Sequence, residues 1–274
     1  MQWSEFVNGC ERWPERVIVR NIEYIETFGD GAEVAEILFD LPDEAACNRL
    51  VYRALEAGVS FSLSDVMEMD GSISNEIRDR FIAAIIHKQV IFSYGELEYL
   101  MGVLDDKKFS AVVLRQLDNG GQFSIEQIIE MITCGSVDEN TANRLVIRSA
   151  KDGYVFEIDE IKELADYIIK SLIDALLLAR AEKDYGISYE DLLYFADYLS
   201  EDVLVRLIFE SIRSGRQYSP EQISEFDCYV SPETLVNMIK EKNPNVKLWE
   251  LREIEKIISI STIYDMLNEY EKDN

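Results

Sequence analysis

The chain has 274 residues, 47% of them apolar, so it is long enough to bury a large hydrophobic core. Its 27 basic and 53 acidic residues give a formal charge of −26, which argues against direct binding to nucleic acid or to an anionic membrane, since both require clustered Lys and Arg. The net charges of residues 1–60, 61–122, 123–186 and 187–274 are −7, −4, −6 and −9. We therefore expect a protein partner with a basic surface.

The four cysteines, at positions 10, 47, 134 and 228, form no CxxC pair and indicate neither a zinc ribbon nor a disulfide framework. The first residues, MQWSEFVNGCERWPERV, are acidic and polar where a secretory signal would have an apolar core. No apolar run reaches the roughly 18 residues of a membrane span. We expect a cytoplasmic protein.

In chain order, residues 1–28 are predicted to form an N-terminal helical cap, in which Trp3, Phe6 and Trp13 supply the apolar side chains. Repeat arrays need caps because their end units would otherwise expose apolar faces. Residues 248–274 are predicted to form a C-terminal capping helix, with Trp249 and Tyr264 helping to cover the last repeat.

Between these caps, residues 29–247 repeat themselves. FSLSDVMEM at Phe61, FSYGELEYL at Phe92 and FSIEQIIEM at Phe123 align with one another and with later segments. The predicted repeats start at 29, 61, 92, 123, 156, 187 and 218, and the last six starts are 31, 31, 33, 31 and 31 residues apart. Such a period is typical of stacked supersecondary units. We predict one continuous all-α domain, a right-handed α-solenoid of about seven helix-turn-helix repeats with capping helices.

Each repeat begins with the pattern of a capped helix, which we name helix A. Its second residue is Ser in five of six repeats, and the residue three further on is Asp, Glu or Gln, as in Ser62 with Asp65. An apolar residue before the Ser is paired with one at the fourth helical position, which is the spacing of a hydrophobic staple. Apolar residues one and two turns later predict a helix of roughly three turns.

A second helix, helix B, is predicted from a second set of capping residues in the middle of the repeats: Ser74, Asp105, Ser136, Ser200 and Ser231. The repeat then ends in Gly-x-x-aromatic, with glycines at 58, 120, 153 and 215. Glycine just past a helix commonly adopts the left-handed conformation that closes the last turn. The pair Gly120-Gly121 is therefore predicted to be a helix stop, and it lacks the Lys and the preceding strand of a phosphate-binding loop.

The end of helix B and its turn, LVYRALEAGVSFS and LIFESIRSGRQYS, are similar to the end of an ankyrin repeat. The helical pairs as a whole resemble ankyrin-type or HEAT-type α-solenoids over nearly the full chain. The chain departs from ankyrin repeats in lacking a TPLH-like helix start and room for a β-hairpin. The resemblance implies the architecture and a tendency to bind other proteins, and it implies no functional residue.

Catalytic and metal-binding patterns are weak. Triads of the Ser-His-Asp or Cys-His type would all depend on His87, the only histidine, whose position near the end of a B helix favours a capping or solvent-facing role. The stretch DENTANR at Asp138 lacks the DxDxDG order of a calcium loop. We predict no catalytic, cofactor-binding or metal-binding residue.

The thirteen-residue A-helix windows from 61, 92, 123, 156, 187 and 218 contain eighteen acidic residues and one basic residue, Lys162. Their fifth, eighth and twelfth positions are not used for the core and carry acids and tyrosines, and tyrosine is enriched at protein interfaces. The predicted contact residues are Asp65, Glu68, Glu96, Tyr99, Glu130, Glu160, Glu163, Tyr167, Asp191, Tyr194, Tyr198, Glu225 and Tyr229. The competing interpretation is that the acids cap helices and the tyrosines pack on neighbouring repeats.

Three functions follow, in order of preference. The first is a non-enzymatic protein-binding solenoid, an adaptor, inhibitor or immunity-type protein, that engages a basic partner through the A-helix face. The alternative is a nucleic-acid mimic that inhibits a DNA- or RNA-binding enzyme, of the anti-restriction or anti-CRISPR type. The third is an enzyme that uses an unrecognised carboxylate cleft.

Overall fold

The fold is given by a computed structural model, which describes residues 1–183 and 187–213 and positions 222, 225, 226, 228–231 and 234. All regular secondary structure in these residues is helical. The chain divides into two compact units, residues 1–122 and 123–274. No helix in the described part of the chain is long and apolar enough to cross a membrane. The predicted C-terminal helix at 248–274 and most of the repeat that starts at 218 lie outside the described residues.

The first unit contains eight α-helices within its 122 residues: α1 (Trp3–Cys10), α2 (Glu15–Asn21), α3 (Gly31–Ile37), α4 (Glu44–Glu56), α5 (Leu63–Met69), α6 (Asn75–Lys88), α7 (Tyr94–Val103) and α8 (Asp106–Asp118). Two 3₁₀ turns, Ile22–Tyr24 and Leu38–Asp40, follow α2 and α3. The aromatic residues predicted for the N-terminal cap contact one another, since the ring centroids of Phe6 lie 5.9 Å from Trp3 and 6.5 Å from Trp13. Phe6 is fully buried.

The described residues of the second unit form α9 (Ile125–Thr133), α10 (Glu139–Lys151), α11 (Ile158–Leu164), α12 (Lys170–Ala181), α13 (Tyr189–Phe195) and α14 (Glu201–Arg213). Shorter helices alternate with longer ones from α3 to α8 in the first unit and from α9 to α14 in the second. The shorter ones are the predicted A helices, and each packs against the B helix that follows it in the pairs α5–α6, α7–α8, α9–α10 and α13–α14. Successive A helices also pack, α3 on α5 and α5 on α7 in the first unit and α9 on α11 in the second.

The A helices begin where the capping pattern predicts them. In α5, α7, α9 and α13 the predicted Ser is the N-cap, and both reciprocal hydrogen bonds of the capping box are present. Glu157 takes the place of the Ser in α11 and is paired with Glu160. The expected three turns are too long for α5, α11 and α13, which have seven residues each. After α11 the chain forms a turn with hydrogen bonds between residues three apart, such as Tyr167 N–H to Leu164 O at 2.9 Å. Ile168, which the sequence predicts to be helical, is buried in this turn.

Ser74 and Asp105 occupy the predicted N-cap positions of α6 and α8, but only the Asp105 side chain accepts a capping hydrogen bond, and Ser136 is not the N-cap of α10. The N-cap of α10 is Asp138, whose carboxylate accepts a hydrogen bond from Thr141 N–H at 2.8 Å. Ser136 follows Gly135, which has a left-handed φ of +69°, and so still belongs to the turn. An Asp two residues later can cap the helix equally well, because both side chains offer an oxygen to the third backbone N–H.

Gly120 and Gly121 have two different roles at the end of α8. Gly120 has φ +85°, the left-handed conformation in which a side chain is strained. Gly121 instead lies against Gln116, whose carbonyl oxygen would be 2.9 Å from an added Cβ atom. The first glycine reverses the chain and the second allows it to pass close to α8. The pair is therefore a helix stop, as predicted.

Gln116 connects the end of α8 to the start of α7. Its side chain is 3% exposed, accepts a hydrogen bond from Phe92 N–H at 2.9 Å and donates one to Phe92 O at 3.1 Å. Arg180 makes the equivalent contact in the second unit, donating to Phe156 O at 3.0 Å across the same 24-residue separation. These bonds satisfy backbone groups that the buried aromatic residue removes from water, and they fix the angle between the two helices of a repeat.

Successive B helices are joined by another repeated hydrogen bond. The backbone N–H at the start of one helix donates to an amide or carboxylate oxygen 26 residues earlier on the preceding B helix. The pairs are Ser74 with Asn48 at 3.0 Å, Ile169 with Asn143 at 3.1 Å and Ser200 with Asp174 at 3.2 Å. Because these three hydrogen bonds span the same number of residues, they favour the same placement of each B helix on the preceding one.

Replacing Ser62 by Ala removes the capping oxygen of α5 and is expected to lower the free energy of unfolding by about 1 kcal/mol. Ser64 lies two residues further along the same helix, is exposed and provides the matched control. Ser64→Ala is expected to change stability by less than about 0.5 kcal/mol, since Ala is the better helix former. Urea denaturation followed by circular dichroism measures both, and equal effects would contradict the capping role.

Replacing Gln116 by Met fills its volume but leaves both Phe92 backbone groups without a partner. We expect a loss of about 1–3 kcal/mol in the free energy of unfolding, the cost of buried unsatisfied polar groups. Gln122→Met, at an exposed position four residues past α8, makes the same chemical change and is expected to be nearly neutral. If Gln116→Met unfolds at the same urea concentration as wild type, the two hydrogen bonds between Gln116 and the Phe92 backbone are not needed for stability.

Candidate functional site

The predicted contact residues fall into three columns, named by their position in the repeat. Column five contains Asp65, Glu96, Glu160 and Asp191. Column eight contains Glu68, Tyr99, Glu130, Glu163, Tyr194 and Glu225. Column twelve contains Tyr167, Tyr198 and Tyr229. The structure gives each column a different environment.

Column five is used by the helix starts. The carboxylates of Asp65, Glu96 and Glu160 each accept a hydrogen bond at 2.7 Å from the backbone N–H of the N-cap residue. Asp191 accepts bonds from Ser188 N–H at 3.3 Å and from Ser188 Oγ at 2.6 Å. All four are half-buried. The acidic residues of this column are therefore explained by helix capping. Their carboxylates are already hydrogen-bonded within the chain and are less available to bind a partner.

Column eight of the first unit consists of Glu68 and Tyr99, which differ in exposure. Glu68 is exposed, whereas Tyr99 is half-buried. The Tyr99 hydroxyl is buried beside Asp70 without reaching the geometry of a hydrogen bond. Burial, and after it the negative charge of Asp70, raises the pKa of that hydroxyl. Tyr99 thus offers little polar surface to a partner.

Column eight of the second unit is exposed throughout. Glu130 lies on α9, Glu163 on α11 and Tyr194 on α13, and Glu225 follows in the next repeat. The Tyr194 ring is 42% exposed although it packs edge-on against the buried Phe195 at 5.0 Å. These side chains come from consecutive repeats, and none of the four is basic. Together with Glu68 and Tyr167, they are the predicted contact residues that are exposed.

Column twelve reaches back to the preceding A helix. The Tyr167 hydroxyl donates to Thr133 O at 3.2 Å, and the Tyr198 hydroxyl donates to the Asp166 carboxylate at 2.7 Å. In the next repeat, the charge of Asp197 raises the pKa of Tyr229. The hydroxyls therefore join neighbouring A helices, while the Tyr167 ring remains 38% exposed. The packing interpretation describes this column well.

Lys162 is the one basic residue of the A-helix windows, and acidic neighbours surround it. Its Nζ lies 2.6 Å from Asp191 Oδ1 and 3.6 Å from Asp159 Oδ1. It also lies over the Tyr194 ring, 5.6 Å from the centroid. The hydrogen bond to Asp191 raises the pKa of Lys162. Its charge is therefore compensated within the chain, and the surrounding face stays negative.

Tyr154 is a residue of this region that the sequence did not single out. It lies in the turn before α11, is 38% exposed, and its hydroxyl donates to Glu160 at 2.7 Å. Burial of the hydroxyl, followed by the hydrogen bond to Glu160, raises the pKa of Tyr154 to about 12. The sequence could have indicated Tyr154, because it directly follows the helix-ending Gly153 and lies close to the start of the next helix, α11.

The first unit also has an open cleft of about 360 Å³ between α1 and α3 that no sequence pattern indicated. Trp3, Val7 and Ile37 contribute apolar surface to it. Its acidic lining residues are Glu11, Glu33, Glu36 and Asp40. Burial, and secondarily the charge of Asp40, raises the pKa of the neighbouring Cys10 thiol to about 11. The cleft adds to the acidic character of the first unit.

Reactive groups are dispersed in the described part of the chain. His87 is exposed near the end of α6. Cys10 and Cys47 are buried free thiols, and Cys134 and Cys228 are exposed free thiols. No group of three or more His, Cys, Asp or Glu side chains among the described residues is arranged to hold a metal ion.

Comparisons with protein-family models, with curated proteins and with solved structures found no match for this chain. Its function is therefore inferred from the side chains described above. The strongest contrast among them lies within the second unit, where column eight is exposed and acidic while columns five and twelve serve helix starts and helix packing.

The bond between Tyr198 and Asp166 raises the pKa of the Tyr198 hydroxyl, so the folded protein favours the neutral phenol. Its contribution to stability is complete below the ordinary tyrosine pKa of about 10 and declines as the pH rises above that value. We expect Tyr198→Phe to cost up to about 1 kcal/mol near neutral pH, because the hydrogen bond is partly solvated. The difference from wild type should shrink above about pH 10.

The control for this prediction is Tyr52→Phe, since Tyr52 is exposed on α4. Both variants are compared with wild type by urea denaturation at neutral and at alkaline pH. If the difference in the free energy of unfolding between Tyr198→Phe and wild type stays constant across the alkaline range, the phenol proton does not contribute to folding.

Proposed function

We propose that this chain is a non-enzymatic protein-binding α-solenoid that holds a basic protein partner on its A-helix face. In this proposal the helices form a right-handed array of about seven helix-turn-helix repeats. The protein acts as an adaptor or as an inhibitor of the immunity type. The proposal further locates the contact on column eight of the second unit, with the rings of column twelve beside it.

The array is supported by the regular alternation of short and long helices and by bonds that recur at equivalent positions of the repeats. Column-twelve hydroxyls reach back to the preceding A helix, and the 26-residue bonds join successive B helices. Both kinds of contact relate a repeat to its neighbour in the same way each time. Repetition of one neighbour contact is the property that generates a solenoid.

The single observation that carries the binding proposal is that column eight of the second unit is exposed and includes no basic residue among Glu130, Glu163, Tyr194 and Glu225. Glu130 and Glu163 are exposed on consecutive A helices, and Tyr194 is exposed on the next one. The adjacent Lys162 is already paired with Asp191. A surface with carboxylates and an accessible tyrosine ring attracts Lys and Arg side chains, by charge and by contact with the ring face.

A cytoplasmic location is part of the proposal. It is supported by the exposed free thiols of Cys134 and Cys228, which suit a reducing compartment. An acidic surface also suits a protein of this kind, because net charge of one sign discourages self-association.

Neutralising column eight provides the test. Glu130→Gln combined with Glu163→Gln removes two negative charges from α9 and α11. We expect the double variant to bind a fluorescently labelled peptide of alternating lysine and alanine about three- to tenfold more weakly than wild type, since exposed ion pairs contribute up to about 1 kcal/mol each. Fluorescence anisotropy at low salt measures the dissociation constants.

The matched control is Glu139→Gln combined with Asp202→Asn. Both residues are exposed in the first turns of α10 and α14, so this variant has the same net charge but keeps column eight. We expect its affinity to stay within about twofold of wild type. Equal weakening of the two variants would show that only the total charge of the chain attracts the peptide, and it would refute a defined face.

A further inference from the structure

The surroundings of Lys162 have the composition of a cation-binding site. Its ammonium group contacts the carboxylates of Asp191 and Asp159, and the Tyr194 ring forms a third wall. Ammonium groups bind to such walls because carboxylates supply charge and an aromatic face supplies a negative quadrupole. The occupant of this site belongs to the chain itself, since α11 contributes the lysine while α13 contributes Asp191 and Tyr194.

The walls of this site are held in place by contacts that do not involve the Lys162 side chain, and the Tyr194 hydroxyl donates to the Lys162 backbone carbonyl at 3.5 Å. Asp191 is bonded to Ser188 through the capping box of α13. Tyr194 packs on Phe195 and stacks on Tyr198 at 5.8 Å, and the Tyr198 hydroxyl is anchored on Asp166. The site would therefore keep its shape if the ammonium left it. A pre-formed site loses less conformational entropy when an external group enters.

Lys162, in contrast, is attached through a flexible stem, and its side chain is 30% exposed. Its ion pairs are of the partly exposed kind, whose stabilisation is small because water competes for both partners. When the ammonium group of another lysine takes the place of the Lys162 ammonium, the site still holds one positive charge beside its carboxylates. An external lysine could therefore replace Lys162 without leaving Asp191 unpaired.

We propose that Lys162 is an internal occupant of a lysine-binding site on the A-helix face, and that a lysine side chain of the basic partner displaces it. This inference rests on the proposed function and specifies its ligand chemistry, a primary ammonium group bound between Asp191 and Tyr194. Lys162 then acts as a built-in competitor. It lowers the affinity for weakly basic surfaces, and a partner must present a lysine at the right position to displace it.

The test compares Lys162→Met with Lys170→Met. Both remove one positive charge from the second unit, but Lys170 donates to a backbone carbonyl, Asp197 O at 2.7 Å, outside the site. We expect Lys162→Met to bind the lysine–alanine peptide about three- to fivefold more tightly than Lys170→Met, because a competitor that occupies a site most of the time reduces affinity by that order. Adding Tyr194→Ala to Lys162→Met should abolish the gain.

The outcomes separate this inference from the proposed function. If wild type and both lysine variants bind the peptide but Lys162→Met binds no more tightly than Lys170→Met, the internal-competitor role is refuted and the acidic face stands. If none of the three binds the peptide, both proposals fall. Thermal unfolding of each variant verifies that the helices remain folded.

A measurement on the wild-type side chain covers the case in which Lys162→Met unfolds. Unmodified lysines isotope-labelled at Cε give separate NMR signals, and a lysine held over a tyrosine ring is shifted from the position of a free lysine. We expect the Lys162 signal to move to the free position as the peptide is added. A Lys162 signal that stays in place while the peptide binds would overturn the displacement step.

Discussion

The rest of the structure depends on the turn that joins one repeat to the next. A left-handed glycine such as Gly58 ends the B helix, an aromatic residue such as Phe61 follows three positions later, and a Ser cap such as Ser62 starts the next A helix. Within a repeat, Gln116 ties the end of the B helix α8 to the backbone of Phe92, the buried aromatic residue before α7. Because these groups restrict the backbone at consecutive positions, the A helices α5, α7, α9, α11 and α13 all start two residues after their predicted repeat starts.

Constant helix starts place equivalent residues in equivalent surroundings, which divides the polar surface into columns. Column five closes helix ends, as in the bond from Ser93 N–H to Glu96. Column twelve connects neighbouring A helices, as in Tyr198 with Asp166. Column eight takes part less evenly: Glu130 and Glu163 are exposed, whereas the Tyr194 hydroxyl donates to Lys162 O of the preceding A helix at 3.5 Å. The exposed carboxylates are therefore the members of column eight that can vary without disturbing these bonds between repeats.

The distribution of charge has the same origin. Several described Arg and Lys residues on B helices are paired with a carboxylate, as in Arg78 with Asp70 and Arg206 with Glu210. The A helices favour acids because their short length places much of each helix near its N-terminus, where the helix dipole and the capping boxes stabilise carboxylates. Lys162 is the exception, and its contacts with Asp191 and Tyr194 show how the A-helix face accommodates an ammonium group.

The sequence by itself determined the helical class, the positions at which A helices begin, and the glycine stops, because caps and left-handed turns are local interactions between residues few positions apart. It placed the α10 cap at Ser136 instead of Asp138 and made α5, α11 and α13 too long, because where a helix starts or ends depends on how the chain turns between neighbouring helices. Only the tertiary structure decided which of the predicted contact residues are accessible. Tyr99 and Glu163 occupy the same repeat position, yet the hydroxyl of the first is buried and the second is exposed, because burial depends on neighbours from other repeats.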